Sequence, residues 1–155
     1  MLIISSAQVD DAQAILALQK LAYQSEAKLY NDWSLPALTQ TVEALRAEFT
    51  DSYVLKVTSG ERLVGSVRAK VVSGTCAIGR LIVHPEHQGH GIGSKLLQEI
   101  EEKFHQVEKF ELFTGSKSDA NIRLYQRHGY TVTRTQPLSE TVSITFLEKP
   151  EKSAL

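Results

Sequence analysis

Apolar residues recur at helical spacing in the first third of the chain, with irregular stretches between them. Leu2–Ser5 suits a short strand, and Asp10 or Asp11 can cap the helix that follows it. Residues 23–36 show no periodicity, and Pro36 stands near the start of a second predicted helix. The apolar faces of the two helices carry Ile15, Leu18 and Ala22, and Leu38, Val42 and Leu45. The pattern therefore predicts one strand and two helices before residue 50.

Three strands are predicted between residues 53 and 83. In the first two, around Leu55 and Val67, every second position is apolar, which is typical of a half-buried strand. Turn signals at Gly60 and Gly74 separate the three strands. The third run, Cys76–Val83, is almost continuously apolar, and such a run favours a central strand covered on both faces.

After Gly93 the spacing of apolar residues changes from two to about 3.6, which predicts the clearest helix in the sequence. Phe110–Thr114 is the next predicted strand, and Ser118 can cap a helix that stops at Gly129. Alternating apolar residues around Ile144 indicate a last strand. Helices alternate with runs of strands in this order, which favours an α+β or mixed α/β fold.

Length and composition narrow the possible classes of protein. The sequence has 155 residues, which suits one domain over residues 1–155. Cys76 is the only cysteine, so an intramolecular disulfide and a cysteine-rich metal site are excluded. Lys and Arg number 17 and Asp and Glu 18, and this near balance argues against a nucleic-acid binder. The chain shows no signal-peptide core and no long apolar run, so we expect a cytoplasmic protein without a membrane span.

The loop from His84 to Gly93 joins the third of these strands to the clearest helix, with glycines at positions 89, 91 and 93. The first turn of a helix leaves backbone N–H groups without partners, and glycine lets an anion approach them. The loop therefore predicts a site for phosphate oxygens. The dinucleotide pattern G-x-G-x-x-G and the P-loop pattern both fail on spacing, which weakens a nucleotide-binding reading. A tight turn without a ligand is the other interpretation.

Two motifs resemble those of the GNAT N-acetyltransferase superfamily. The first is Val83-His84-Pro85 followed by Gln88-x-x-Gly91-x-Gly93, and the second is Asn121-x-x-x-Tyr125-x-x-x-Gly129-Tyr130. The resemblance implies a GNAT-like fold, with a central mixed, mostly antiparallel sheet that is splayed at a cofactor cleft and flanked by about four helices. It also implies acetyl-CoA (coenzyme A) as the cofactor and an amine-bearing acceptor as the second substrate.

The resemblance also implies which residues bind the cofactor. In the family, the strand before the loop opens away from its neighbour, and the pantetheine arm pairs with it like an added strand. Carried over to this chain, Leu81, Ile82 and Val83 provide those backbone groups, and Asn121 steadies the arm from the following helix. The pyrophosphate is expected against the main chain of Gln88, Gly89, His90, Gly91, Ile92, Gly93 and Ser94.

The chemistry implied by the resemblance is direct attack of an amine on the thioester. Tyr125 matches the tyrosine that protonates the departing thiolate, and an ordinary tyrosine pKa of about 10 lies above a thiol's pKa of about 8.5. Several branches of the family carry a glutamate on the strand before the loop, where this chain has Ala77. We therefore expect the general base in the N-terminal helical region, with Glu26 as the candidate and Asp32 and Glu43 as alternatives.

The acceptor class and the activity itself leave alternatives open. Amino acids, polyamines, aminoglycosides and peptide amines all remain candidate acceptors, and Arg68 or Arg80 could bind an acceptor's carboxylate. The acidic and aromatic segment from Glu26 to Trp33 would suit a cationic amine. A catalytically inactive acyl-CoA sensor or interaction module of the same fold is the alternative function. Edge pairing of the last strands could also give a homodimer.

Overall fold

A computed structural model describes residues 1–151, which form one seven-stranded sheet and six α-helices. In chain order the elements are β1 (Leu2–Ser6), α1 (Ala12–Ala22), α2 (Gln24–Tyr30), α3 (Pro36–Thr39), α4 (Val42–Glu48), β2 (Tyr53–Ser59), β3 (Arg62–Val72), β4 (Thr75–Val83), α5 (Ile92–Glu102), β5 (Lys109–Gly115), α6 (Asp119–Arg127), β6 (Thr131–Pro137) and β7 (Ser143–Pro150). This architecture confirms the predicted mixed α/β fold class.

The strands follow the order β1-β2-β3-β4-β5-β7-β6, and every neighbouring pair is antiparallel except β4 and β5. The parallel pairing of β4 with β5 is short, and its last pair is Ala77 with Glu111. Beyond that pair, β5 continues beside β7 and β4 continues beside β3. The sheet therefore opens between β4 and β5, as the resemblance to the GNAT superfamily implied.

A bulge in β4 lies where the strand begins to diverge from β5. Gly79 pairs with Arg68 and Ile82 with Ser66, so two residues of β4 lie opposite the single residue Val67. One of the two is Arg80, whose φ is +51°. A bulge bends its strand and increases the local twist, which accounts for the direction in which β4 leaves β5.

The main core lies between the sheet and α5, whose residues Leu96, Leu97 and Ile100 are fully buried. β4 is the central strand of the sheet, as predicted, but it is not covered on both faces, so that part of the prediction is wrong. Ala77 is exposed, and Leu81, which borders the opening in the sheet, is only half-buried. A strand with an almost continuous run of apolar residues can therefore line a cavity on one face, and it need not be buried on both faces.

β3 is the strand with the longest buried run, from Val64 to Ala69. The sequence predicted a half-buried strand here, with Ser66 and Arg68 facing solvent. Both polar side chains are buried because each has partners inside: Ser66 Oγ donates to the Leu55 carbonyl over 2.8 Å, and Arg68 joins a polar network under the N-terminal helices.

The N-terminal region contains four helical segments where two were predicted. Residues 24–30, predicted as irregular, form α2 because Ala27 and Tyr30 pack against apolar residues of β7. The second predicted helix is divided at Gln40, whose ψ of 140° ends α3, and Thr41 then caps α4 by accepting from the Ala44 N–H. Neither change alters the fold class.

β1 and β6 are the outer strands of the sheet, and all seven residues of β6 are exposed. An exposed edge is where a second copy could add a strand. The homodimer nevertheless stays a prediction. Among residues 1–151, no helix combines the length with the apolar character that a membrane crossing requires.

Candidate functional site

A cavity of about 920 Å³ occupies the opening between β4 and β5. We call it the cleft. Its walls are the junction of α1 and α2, the second half of β4, the glycine loop, the end of β5 and the inner face of α6. Predicted site residues from four separate parts of the chain line it: Glu26, Leu81, Ile82, Val83, Gln88, Gly89, Gly91, Ile92, Gly93, Ser94, Asn121 and Tyr125. His90 is exposed and is not a lining residue.

The glycine loop is held at its first residue by His84. The His84 Nδ1 accepts from the Glu86 N–H over 3.1 Å, and its Nε2 lies 2.8 Å from Arg62 Nη2. This is a structural role for His84, which is itself buried. The loop that follows reaches the start of α5 beside the cleft.

Gly89 and Gly91 have φ values of +82° and +79°, a backbone region that favours glycine. Neither has any atom within 4 Å of the position where a Cβ would stand, so the space beside the loop is open. Gly91 immediately precedes α5, whose first-turn N–H groups have no acceptor within the helix. The arrangement can bind an anion through its main chain.

The open part of β4 offers backbone groups on its cleft side. Ile82 and Val83 are paired with Ser66 and Gly65 of β3, and Leu81 lies in the bulge without a partner there. All three residues line the cleft, where Ile82 is buried and the other two are half-buried. The Gln88 amide donates to the Val83 carbonyl over 3.4 Å and ties the loop to this strand. The strand edge beyond Ala77 can therefore accept an extended ligand, as β-augmentation requires.

Glu26 lies at the centre of a small polar cluster in the cleft wall. Each of its carboxylate oxygens is 2.7 Å from Ser118 Oγ, which donates to the carboxylate. Asn121 Nδ2 lies 3.5 Å from Glu26 Oε1 and 3.3 Å from Thr114 Oγ1. The sequence predicted that the Ser118 side chain caps α6. It does not, because the Ser118 hydroxyl donates to Glu26 instead.

Tyr125 lies on the inner face of α6 and is 6% exposed, with its side chain at the cleft. Burial raises its pKa above the ordinary tyrosine value, and the nearby Tyr23 and Glu26 act in the same direction. The hydroxyl therefore carries its proton at neutral pH, where it can donate to an atom that becomes strongly basic during a reaction.

The two alternative bases do not line the cleft. Asp32 accepts from Ser34 and Thr141, and these hydrogen bonds lower its pKa. Glu43 is an exposed residue in the first turn of α4. Among the three acidic candidates, only Glu26 faces the cavity.

Several contacts that shape the cleft could not be predicted from the sequence pattern. Tyr30 Oη accepts from the Lys117 N–H over 2.8 Å and lies against Gly115, where a Cβ would come within 2.1 Å of it. Trp33, which ends the acidic and aromatic segment proposed for a cationic amine, is 56% exposed and does not line the cleft. Within the described residues, no group of three or more His, Cys, Asp or Glu side chains could hold a metal ion.

A profile of the Acetyltransferase (GNAT) family matches residues 13–130. The chain is 28% identical to UPF0157 protein YqkA of Bacillus subtilis over 124 residues, covering 80% of this chain and 36% of that protein. It is 40% identical over 57 residues to the L-methionine sulfoximine/L-methionine sulfone acetyltransferase of Salmonella typhimurium, covering 36% of this chain and 33% of that protein. It is 33% identical over 73 residues to the L-amino acid N-acyltransferase MnaT of Escherichia coli, covering 43% and 42%. The matches thus span less than half the length of each of these relatives.

Two solved structures share the fold at low sequence identity. The PaiA N-acetyltransferase of Thermoplasma acidophilum, in complex with coenzyme A, has a TM-score of 0.80 at 18% identity, covering 97% of this chain and 99% of that chain. YncA of Salmonella typhimurium, with its cofactor acetyl-CoA, has a TM-score of 0.74 at 21% identity, covering 96% and 93%. Both likenesses extend over nearly the whole chain.

Proposed function

The chain belongs to the GNAT acetyltransferase family, and from this premise we propose that it is an acetyl-CoA-dependent N-acetyltransferase. One observation carries the proposal: an open strand edge, an anion-binding glycine loop and the protonated Tyr125 meet in a single cleft. The coenzyme A and acetyl-CoA in the two structural neighbours support the same cofactor here. The amino-acid acyltransferases among the relatives support an amine acceptor.

The cleft fits this cofactor in shape and in the groups it offers. Gly89 and Gly91 leave room for phosphate oxygens against the N–H groups of the loop, from Gln88 to Ser94. The backbone of Leu81–Val83 would hold the pantetheine arm along the open edge of β4, and Asn121 would steady it from α6. Acetyl-CoA, when bound, supplies the acetyl thioester that is transferred.

The residues of the cleft divide the proton transfers between them. Glu26 accepts a proton from the acceptor's ammonium group, which frees the amine to attack the thioester directly. Ser118 and Asn121 fix the orientation of the Glu26 carboxylate. Tyr125 donates its hydroxyl proton to the sulfur that departs, since its side chain lies at the cleft on the inner face of α6. Placing both substrates in one cleft lowers the barrier further by orienting the reacting atoms.

The test is release of free thiol from acetyl-CoA in the presence of a panel of amines, with a control lacking enzyme. We expect thiol release that depends on both the protein and the amine, and a stoichiometric N-acetylated product by mass spectrometry. Acetyl-CoA affinity is measured in parallel by calorimetry. Tight acetyl-CoA binding without thiol release for any amine would contradict the proposed enzyme and favour a catalytically inactive sensor of acyl-CoA.

A further inference from the structure

Arg80 brings a positive charge and an unpartnered donor into the wall of the cleft. Its Nε is buried and has no hydrogen-bond partner among residues 1–151. Buried donors almost always have an acceptor, since leaving one unpaired is costly. The residue also has φ of +51° at the bulge of β4, a left-handed conformation that is uncommon for a residue with a side chain. Strained backbone of this kind concentrates at sites that bind ligands.

The neighbouring Arg68 shows what a purely structural arginine looks like in the same region. Its Nε donates to Glu48 over 3.1 Å and its Nη1 donates to Gln19 over 3.0 Å. The Glu48 carboxylate is therefore already engaged. In the described part of the chain, Arg80 makes no ion pair, and its guanidinium carbon lies over the ring of Tyr23, 5.8 Å from the centroid. Arg80 is a permanent cation whose fork of donors is available to an anion.

Charges of opposite sign thus line one cleft, with Arg80 on β4 and Glu26 on α2. Tyr23, which contacts Arg80, ends α1 directly before the helix that carries Glu26. An acceptor that carries both an ammonium and a carboxylate would satisfy both groups. Building on the proposed function, we propose that the acceptor is an amino acid, whose carboxylate binds Arg80 while its amine lies at Glu26.

The alternatives fit these groups less well. The phosphates of the cofactor are expected at Gln88–Ser94, beyond the end of β4, so they do not account for Arg80. A polyamine or an aminoglycoside would meet three cations in the cleft lining, Arg80, Lys117 and Arg127, against the two acids Glu26 and Asp119. The excess of like charge disfavours a polycation. Apolar side chains face the same cavity and can receive an aliphatic substituent: Leu29, Leu35, Phe113, Leu138, Val142 and Ile144.

The experiment compares acceptors that differ only at the carboxylate. Thiol release from acetyl-CoA is measured for the 20 common L-amino acids, and for L-leucine, L-leucinamide and 3-methylbutylamine as a matched series. Two variants are made, Arg80→Gln and Arg123→Gln. Arg123 is an exposed residue of α6 outside the cleft, so its replacement removes the same charge without touching the site. Binding of L-leucine to the protein saturated with coenzyme A is measured by calorimetry, which requires no turnover.

We expect the wild-type protein to prefer amino acids over the amide and the amine. Arg80→Gln should lower kcat/KM for amino acids by about 10- to 150-fold, the range for a hydrogen bond to a charged group, and change it little for 3-methylbutylamine. Arg123→Gln should match wild type throughout. An equal loss of kcat/KM for amino acids and for 3-methylbutylamine in Arg80→Gln would overturn the assignment of Arg80 to the carboxylate. Acetylation of amines that lack a carboxylate, without acetylation of amino acids, would overturn it too. If no amine is acetylated, the proposed function fails, and calorimetry still decides: leucine binding that Arg80→Gln weakens supports the carboxylate site, and no binding refutes it.

Discussion

Arg68 and Gln19 hydrogen-bond to each other inside the protein, where Arg68 Nη1 donates to Gln19 Oε1 over 3.0 Å. Arg68 is 4% exposed and Gln19 is fully buried. Gln19 Nε2 donates onward to the Ala37 carbonyl over 2.9 Å, and Arg68 Nε donates to Glu48 over 3.1 Å. One charged side chain of β3 therefore connects α1, α3 and α4, the helices that lie behind the N-terminal wall of the cleft.

Replacing Arg68 with alanine should destabilise the protein by about 2 kcal/mol, because the buried Gln19 and the partly exposed Glu48 lose their partner. The measurement is urea denaturation followed by circular dichroism. The matched control is Lys70→Ala on the same strand, since Lys70 pairs with Asp51 in an exposed ion pair. That control should cost less than about 1 kcal/mol. Similar losses in both variants would mean that the network contributes no more than a surface pair.

The glycine loop should respond to substitution through ligand binding rather than through folding. Gly91→Val places a side chain beside the proposed pyrophosphate site, and its φ of +79° adds strain of about 1–2 kcal/mol. We expect acetyl-CoA affinity to fall below detection by calorimetry while the folded structure persists. Gly60→Val is the control, since Gly60 has φ of +64° in a remote turn with equally open space. Unchanged affinity in Gly91→Val would refute the pyrophosphate assignment.

The elements around the cleft could be predicted from sequence where one periodicity dominates. α5 has a clear apolar face, and it begins at Ile92 directly after Gly91 because that glycine can adopt positive φ. α2 was missed because its seven residues are too few to show a period, and contacts with β7 at its buried Ala27 and Tyr30 stabilise it. Local pattern cannot reveal a helix that depends on tertiary contacts.

The site residues that belong to sequence motifs could be predicted. The contacts between residues of different segments could not. The loop and Tyr125 belong to two motifs that the sequence shows directly. The contact between Glu26 and Ser118 joins residues 92 positions apart, and no periodicity reports such a pair. Arg80 is a further example, because its positive φ and its unpaired Nε are properties of the folded bulge alone.

Tyr125→Phe should lower kcat by about 100-fold, the lower range for loss of a general acid, with little change in acetyl-CoA affinity. Steady-state kinetics and calorimetry give the two quantities. Tyr130→Phe is the control from the same aromatic cluster, with ring centroids 6.1 Å apart, and its hydroxyl donates to Glu101 away from the reaction. Wild-type turnover in Tyr125→Phe would assign the proton to water or to another group.

Stability should fall as the pH rises above about 10, the ordinary pKa of tyrosine. Burial raises the pKa of Tyr130, with Glu101 acting in the same direction, so the folded protein keeps a proton that the unfolded chain loses. The stabilisation that comes from the raised pKa of Tyr130 is complete below pH 10 and is lost as the pH increases. At about one pH unit above the unfolded pKa, this group alone should cost about 1.4 kcal/mol. The free energy of unfolding is measured by denaturation below pH 10 and about one pH unit above the unfolded pKa. Its decrease between the two pH values should be smaller in Tyr130→Phe than in the wild-type protein, and an equal decrease would contradict the assignment to Tyr130.

Glu26→Gln should abolish most of the turnover and spare the cofactor site. The amide keeps the size of the side chain and can still bond Ser118, but it cannot accept the ammonium proton. We expect kcat/KM to fall by about 100-fold near neutral pH, with recovery at higher pH where more of the free acceptor is an unprotonated amine. Glu43→Gln, which alters an exposed carboxylate outside the cleft, should behave as wild type. The recovery separates the two possible roles of Glu26. A base is bypassed by an amine that has already lost its proton, whereas a residue that only attracts the cation would show no recovery, and that result would leave the base unassigned.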